Sequence, residues 1–267
     1  MSRKNNGMKN MNWFKSLIVA GAVQALAILP GHAGANLDAI KASGVIKIGT
    51  EGTYAPFTYH DADNKLVGFD VEIGEEIAKR LGVKPEFVEG KWDGLIAGLD
   101  VKRYDAVINQ VGITEERKAK FDFSDPYIAS RAALIVREDN ADIKGFADLS
   151  GKKAAQSLTS NYGKIAEAAG AQLVGTDGFD QSIALVVQGR ADATINDSLS
   201  FLDFKKKQPN APVKIAATEE DAAYSGVIVR KGDPELVAAI NKALEEIKAD
   251  GTYKKIADKY FGQDVSQ

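Results

Sequence analysis

The chain contains no cysteine. Disulfides, thiolate catalysis, cysteine metal centres and lipidation at a lipobox cysteine are excluded together. Histidine is nearly as scarce, with only His32 and His60. A histidine metal site or a Ser-His-Asp triad would rest on His60 alone. That residue stands among Tyr59, Asp61 and Asp63 and reads as an exposed histidine of a hairpin turn. Neither a Walker phosphate loop nor a Gly-x-Ser-x-Gly elbow occurs, and no Gly-x-Gly-x-x-Gly follows a strand. No catalytic residue, metal site or cofactor is therefore expected.

A membrane-spanning run is also missing from the leading segment. The apolar stretch from Leu17 to Leu29 has 13 residues, whereas a spanning helix needs about 20. Arg3, Lys4, Lys9 and Lys15 precede it, and Ala33 and Ala35 follow with an A-x-A pattern. This is the layout of an export signal, residues 1–35, cleaved near Ala33 or Ala35 to leave a mature chain from about Asn36. With no lipobox cysteine, a soluble periplasmic protein without a lipid anchor is expected. Removing the leader leaves 30 Lys and Arg against 37 Asp and Glu, a balance of −7. A chain of that sign is not expected to bind nucleic acid.

What remains, roughly 230 residues, exceeds the usual size of a single core and predicts two lobes. Short β-rich runs alternate with amphipathic helices, which predicts α/β layers around mostly parallel sheets. Strands are expected at Val45 to Gly49, Glu86 to Val88, Ala106 to Asn109, Ala132 to Val136, Lys153 to Gln156, Ala193 to Asn196 and Gly226 to Arg230. Ile73, Ile77 and Leu81 make the buried stripe of a helix from Asp70 that stops at Gly82. Asp233 and Pro234 read as N-cap and first residue of another helix, with Leu236, Ile240, Leu244 and Ile247 inward. Asp250 and Gly251 end it, and a last helix from Thr252 to Phe261 buries Tyr253, Ile256, Tyr260 and Phe261. Arg131 to Arg137 and Tyr224 to Arg230 are two uninterrupted apolar stretches. If the first leaves one lobe and the second returns to it, the double crossing is a hinge.

Polar and aromatic residues cluster where strands end, which is where open α/β sheets bind ligands. Glu51, Tyr54 and Phe57 follow the first strand, as cleft lining or as a loop packing its own aromatics. Asn109, Gln110, Gly112 and Arg117 follow another. Arg117 can fork two hydrogen bonds onto a carboxylate, or lie on the surface beside Glu115 and Glu116. Asp197 can hold an ammonium group or cap the next helix. Ser160 stands at a helix start, where free N–H groups favour anions.

Taken in order, Gly-Thr-Tyr-Ala-Pro-Phe57, Gly68-Phe-Asp-Val-Glu72, Gly-Ile-Thr-Glu-Glu-Arg117, Phe121-Asp-Phe-Ser-Asp-Pro-Tyr127 and Asp250-Gly-Thr-Tyr253 resemble the polar amino-acid branch of the periplasmic solute-binding proteins, family 3. The likeness covers nearly all of the mature chain. It implies the two-lobed type II periplasmic-binding-protein fold, each lobe a mixed sheet flanked by helices, joined by a two-strand hinge. Lobe one would comprise residues 36–131 and 223–267, and lobe two residues 132–222.

By the same resemblance Arg117 grips the ligand α-carboxylate, Asp197 holds its α-ammonium and Ser160 meets the carboxylate from lobe two. Tyr54 and Trp92 wall the side chain, and Glu51 reads its far end. Position 112 usually carries Ser or Thr, so Gly112 offers only its backbone N–H. Asn109, Gln110 and the run Lys91-Trp-Asp-Gly94 look like the cystine-binding members. The implied function is periplasmic binding of a polar amino acid, cystine or a related sulfur-containing one, for delivery to the membrane permease of an ABC transporter by a monomer. Glutamine or a basic amino acid are alternatives. So is a dehydratase on the same fold, with Glu51 or Asp197 as general acid, or a sensor domain for a receptor.

Overall fold

The computed structural model describes residues 35–266. The expected export signal lies outside the described residues, apart from Ala35, which opens a helix, Ala35–Ser43.

Two five-stranded mixed sheets organise the chain. In the first, Lys84–Glu89, Val45–Thr50 and Ala106–Val107 run parallel, and Ile228–Arg230 and Phe121–Phe123 complete it. Ile228–Arg230 is antiparallel to both its neighbours. In the second, Gln172–Gly175, Lys153–Gln156 and Ala193–Asp197 are parallel, and Ala132–Arg137 lies antiparallel between Ala193–Asp197 and Val213–Thr218. The chain leaves the first sheet after Phe123, runs along Ile128–Ser130 and enters the second at Ala132. It returns through Ala223–Ser225, which pairs antiparallel with Ile128–Ser130. Both crossings therefore share one two-stranded ribbon, and the fold is two-lobed.

The expected strands form, although 106–109 is a strand only over Ala106–Val107 and 226–230 only over Ile228–Arg230, with a break, after Ala223–Ser225, at Gly226. A Cβ there would come within 3.2 Å of the Ser124 carbonyl, so the break marks close backbone packing. Helix Phe69–Leu81 ends on Gly82 at φ 74°, whose N–H reaches the carbonyls of Ala78 and Lys79. A left-handed residue is needed there, and glycine takes that conformation at little cost.

Helix Pro234–Ala249 buries Leu236, Ile240, Leu244 and Ile247 as the spacing requires. Its expected cap is not made: the Asp233 carboxylate instead accepts the Asn36 side-chain amide at 2.7 Å, tying the helix start to the beginning of the described chain. The last helix, Thr252–Phe261, buries Tyr253 and Ile256, while Tyr260 and Phe261 are only half-buried. The Tyr260 hydroxyl donates to Glu72 at 2.6 Å, which draws it towards solvent.

Phe69 is fully buried, its ring packed against those of Tyr127, Tyr253 and Phe261. Burying it contributes about 2–3 kcal/mol. Phe57, also fully buried, packs on Phe261, so the glycine- and proline-containing loop after the first strand is anchored to this core. Part of that loop is a strand, Thr53–Tyr54, paired with Thr58–His60. His60 is exposed on this hairpin with Nε2 3.3 Å from Glu89. Among the described residues no helix is long and apolar enough to cross a membrane, and no cluster of His, Asp and Glu is arranged to hold a metal ion.

Candidate functional site

The carboxyl ends of the parallel strands of both sheets converge on one cavity with about 460 Å³ of empty space, its mouth included. From the first sheet come Glu51, Asn109 and Gln110, with Tyr54 and Trp92 beside them. From the second come Gln156, Ser160, Tyr162 and Asn196. Helix Phe179–Val187 adds its first turn.

Asn109 is a brace. Its carbonyl oxygen accepts the Glu51 N–H at 2.8 Å and the Thr50 hydroxyl at 3.1 Å, while its amide donates to the Glu51 carboxylate at 2.5 Å. Burial pushes the Glu51 carboxyl up to about 7; the Asn109 bond opposes that shift and the charge of Asp93 adds to it.

Gln110 has φ 51°, a conformation that costs energy for a side-chain-bearing residue. The fully buried Asp70 holds it there by accepting its N–H at 2.7 Å. Both polar atoms of the Gln110 amide are buried without a protein partner, as are Trp92 Nε1 and Gln156 Nε2. Unpaired buried groups of this kind cost free energy, and a polar ligand can supply their partners. Asp70 is itself set by Gly68 at φ 139°, where a Cβ would lie 2.1 Å from the Phe57 carbonyl oxygen. Burial pushes the Asp70 carboxyl up to about 7, against the hydrogen bond from the Gln110 N–H.

Three expected site residues stand beside the cavity rather than on its wall: Gly112, Arg117 and Asp197. The Arg117 guanidinium donates to the Gly112 carbonyl at 2.9 Å and lies over Trp92, 5.3 Å from the ring centroid. Burial lowers its pKa and the charge of Glu116 opposes the change. Asp197 is almost fully buried and caps helix Ser198–Lys207, accepting the Leu199 N–H at 2.8 Å through Oδ1. Its Oδ2 takes the hydroxyls of Ser130 and Tyr162. Burial pushes this carboxyl to about 6, with the Ser130 bond the largest opposing influence. Ser160, which does line the cavity, caps Asn161–Ala168 through a bond from the Gly163 N–H at 2.9 Å and donates to the Ser157 carbonyl at 2.8 Å.

The two sides of the cleft also bond to each other directly. The Tyr54 hydroxyl donates to Asn196 at 2.6 Å, and the Ser200 hydroxyl to the Ala55 carbonyl at 2.7 Å. Asp93 accepts the Thr159 N–H and hydroxyl at 3.0 and 2.8 Å, and Lys91 pairs with Asp177 at 2.7 Å. This is a closed cleft.

Six of the nine residues singled out in the sequence thus meet at the cavity: Glu51, Tyr54, Trp92, Asn109, Gln110 and Ser160. Tyr162 closes the segment Thr159-Ser-Asn-Tyr162 that holds Ser160, whereas Gln156, Asn196, Gly178 and Phe179 are not singled out by the sequence. Gln156 and Asn196 end or nearly end expected strands, so the strand-end rule that singled out Asp197 applied to them as well. Gly178 and Phe179 carried no such mark, because their helix was not foreseen.

Fold and cleft together define a two-lobed α/β binding protein with its site at the strand ends between the lobes. The family model of the bacterial extracellular solute-binding proteins, family 3, matches residues 46–263, and the chain belongs to that family. The L-cystine-binding protein TcyA of Bacillus subtilis (strain 168) is 52% identical over 229 residues, 85% of each chain. An L-cystine solute receptor of Neisseria gonorrhoeae, solved unliganded and open, is 52% identical over 88% of this chain and 100% of its own, with a TM-score of 0.58. An ancestral arginine-binding protein bound to arginine is 43% identical over 82% of this chain and 99% of its own, yet has a TM-score of 0.78.

Proposed function

We propose that the protein binds an amino acid by its α-carboxylate and α-ammonium groups, with cystine or a related sulfur-containing amino acid as occupant, and delivers it to the membrane permease of an ABC transporter. The observation that carries this reading is the charge around the cleft. Glu51 on the cavity wall and Asp197 beside the cavity are carboxyls raised by burial, and Arg117, also beside the cavity, has one N–H committed to Gly112. A ligand with ammonium and carboxylate groups supplies the missing partners of both kinds.

In this reading Arg117 takes the α-carboxylate from lobe one. Asp197 exchanges its Ser130 and Tyr162 hydroxyls for the α-ammonium, keeping Oδ1 on the helix. Ser160 turns its hydroxyl to the carboxylate, and Gly112 offers its N–H. Each charge-assisted bond contributes about 1.5–3 kcal/mol, and micromolar affinity requires about 8. Association entropy takes back much of that, so Tyr54, Trp92 and the far end of the cavity supply the remainder. Lobe one would be residues 36–131 and 223–267, lobe two residues 132–222, with closure about the 128–130 and 223–225 ribbon. Its chain would act as a monomer in the periplasm after removal of residues 1–35.

The cavity wall itself carries one carboxyl, Glu51, and no guanidinium, which favours a basic amino acid as a second reading. A thermal-shift screen of ligand-stripped protein against all amino acids, cystine included, separates the two. The largest shift with cystine supports the first; the largest with arginine or lysine supports the second. No shift with any amino acid would remove both.

A further inference from the structure

The cavity has a polar pole made by neither Arg117 nor Asp197. Gln156 ends the strand Lys153–Gln156, is 2% exposed, and its Nε2 has no acceptor. Beside it Gly178 and Phe179 line the same cavity at the start of helix Phe179–Val187. Gly178 as N-cap brings no side-chain oxygen, so the first-turn N–H groups stay uncapped and the positive end of the helix dipole is presented there. The Ser182 hydroxyl is held by Thr176 at 2.7 Å and donates to the Gly178 carbonyl at 3.1 Å, which fixes this turn in place. Asp177, just before the helix, pairs with Lys91 at 2.7 Å, and Asp180 in the first turn has its carboxyl raised by burial, which lessens its opposing charge. Trp92 Nε1 is a further donor on the same cavity with no acceptor, and Gln110 presents both an unpaired Nε2 and an unpaired Oε1. An unpaired buried amide donor, Gln156 Nε2, on the same cavity as an uncapped helix start favours an anion there.

We propose that Gln156 and the amino-terminal turn of Phe179–Val187 form a subsite for a second carboxylate, so that the favoured ligand carries a carboxylate and an ammonium group at both ends. This deepens the amino-acid reading above and rests on it. Glu51, across the cavity, then faces the second ammonium, and a side chain ending in an ammonium or guanidinium alone leaves the Gln156 donor unmet.

Titration calorimetry on the wild-type protein tests this with three compounds: L-cystine, the mixed disulfide of cysteine with cysteamine, and the mixed disulfide of cysteine with 3-mercaptopropionate. The second lacks only the distal carboxylate, the third only the distal ammonium. The cysteamine disulfide is expected to bind at least about tenfold more weakly than cystine, as loss of a charge-assisted bond implies. Gln156→Met should weaken cystine by a similar factor and leave the cysteamine disulfide unchanged; a general disturbance of the fold would weaken both. If the cysteamine disulfide binds wild-type protein as tightly as cystine does, or Gln156→Met weakens both equally, the subsite is wrong while amino-acid binding stands. If neither these compounds nor any free amino acid binds, both fall. The wild-type comparison decides the matter even if the variant does not fold.

Discussion

Replacing Asp70 by Asn is expected to stabilise the ligand-free protein at neutral and alkaline pH. Asp70 is fully buried, and its carboxyl is raised from an ordinary value of 3.8 to about 7, chiefly by burial. A raised carboxyl keeps its proton in the fold at pH values where the unfolded chain has lost it. Between about pH 4 and 7 the folded state therefore holds more protons, and stability falls as pH rises through that window. A shift of about three units corresponds to at most about 4 kcal/mol once both states are ionised. Asn is nearly isosteric, and its carbonyl oxygen can still accept the Gln110 N–H that Asp70 holds at 2.7 Å. The gain over wild type should thus grow from pH 4 to pH 7 and then level off. Urea unfolding of ligand-stripped protein at pH 5 and pH 8 measures it directly. If the variant is no more stable than wild type at pH 8, or the two pH profiles run parallel, Asp70 is not carried as a costly buried charge.

Arg117→Ala should abolish amino-acid binding in calorimetry, and Arg117→Lys should weaken it at least about tenfold by losing the planar fork, with unfolding midpoints close to wild type. Gly112→Ser should be accommodated, because the nearest atom to a new Cβ is the Arg117 guanidinium at 3.5 Å. Its hydroxyl beside Arg117 should tighten binding several-fold, about 1 kcal/mol, by the same assay. Tyr54→Phe removes the 2.6 Å bond across the cleft to Asn196. Asn196 keeps the Asp197 N–H as a partner, so the loss should be only about 1 kcal/mol, read as a roughly fivefold faster ligand release in stopped-flow measurements.

Much of the fold was legible where a face of one element had to be buried. Ile73 and Ile77, or Leu236, Ile240, Leu244 and Ile247, recur at helical spacing before a glycine, and no other element satisfies them. Helix Phe179–Val187 was not, because Ile183, Ala184, Leu185, Val186 and Val187 are a continuous apolar run that suits a buried strand as well. Asp233 is the N-cap residue that the sequence predicts, but its carboxylate makes no capping bond, since Asn36, nearly two hundred positions away, takes it. The site was legible in its order of motifs more than in single residues. Asp197 and Ser160 each had a capping and a ligand-binding reading, and the caps are present in the fold. What stayed out of view were Gln156 and Gly178, whose meaning comes from the sheet that sets two strand ends and a helix start around one cavity.

Closure on the ligand is the centre of the account, and small-angle X-ray scattering tests it most directly. Ligand-stripped protein should give a more open envelope than the structure described, and saturating cystine should contract it to the closed form in which Tyr54 meets Asn196. The same envelope with and without a tightly bound ligand would contradict the clamp.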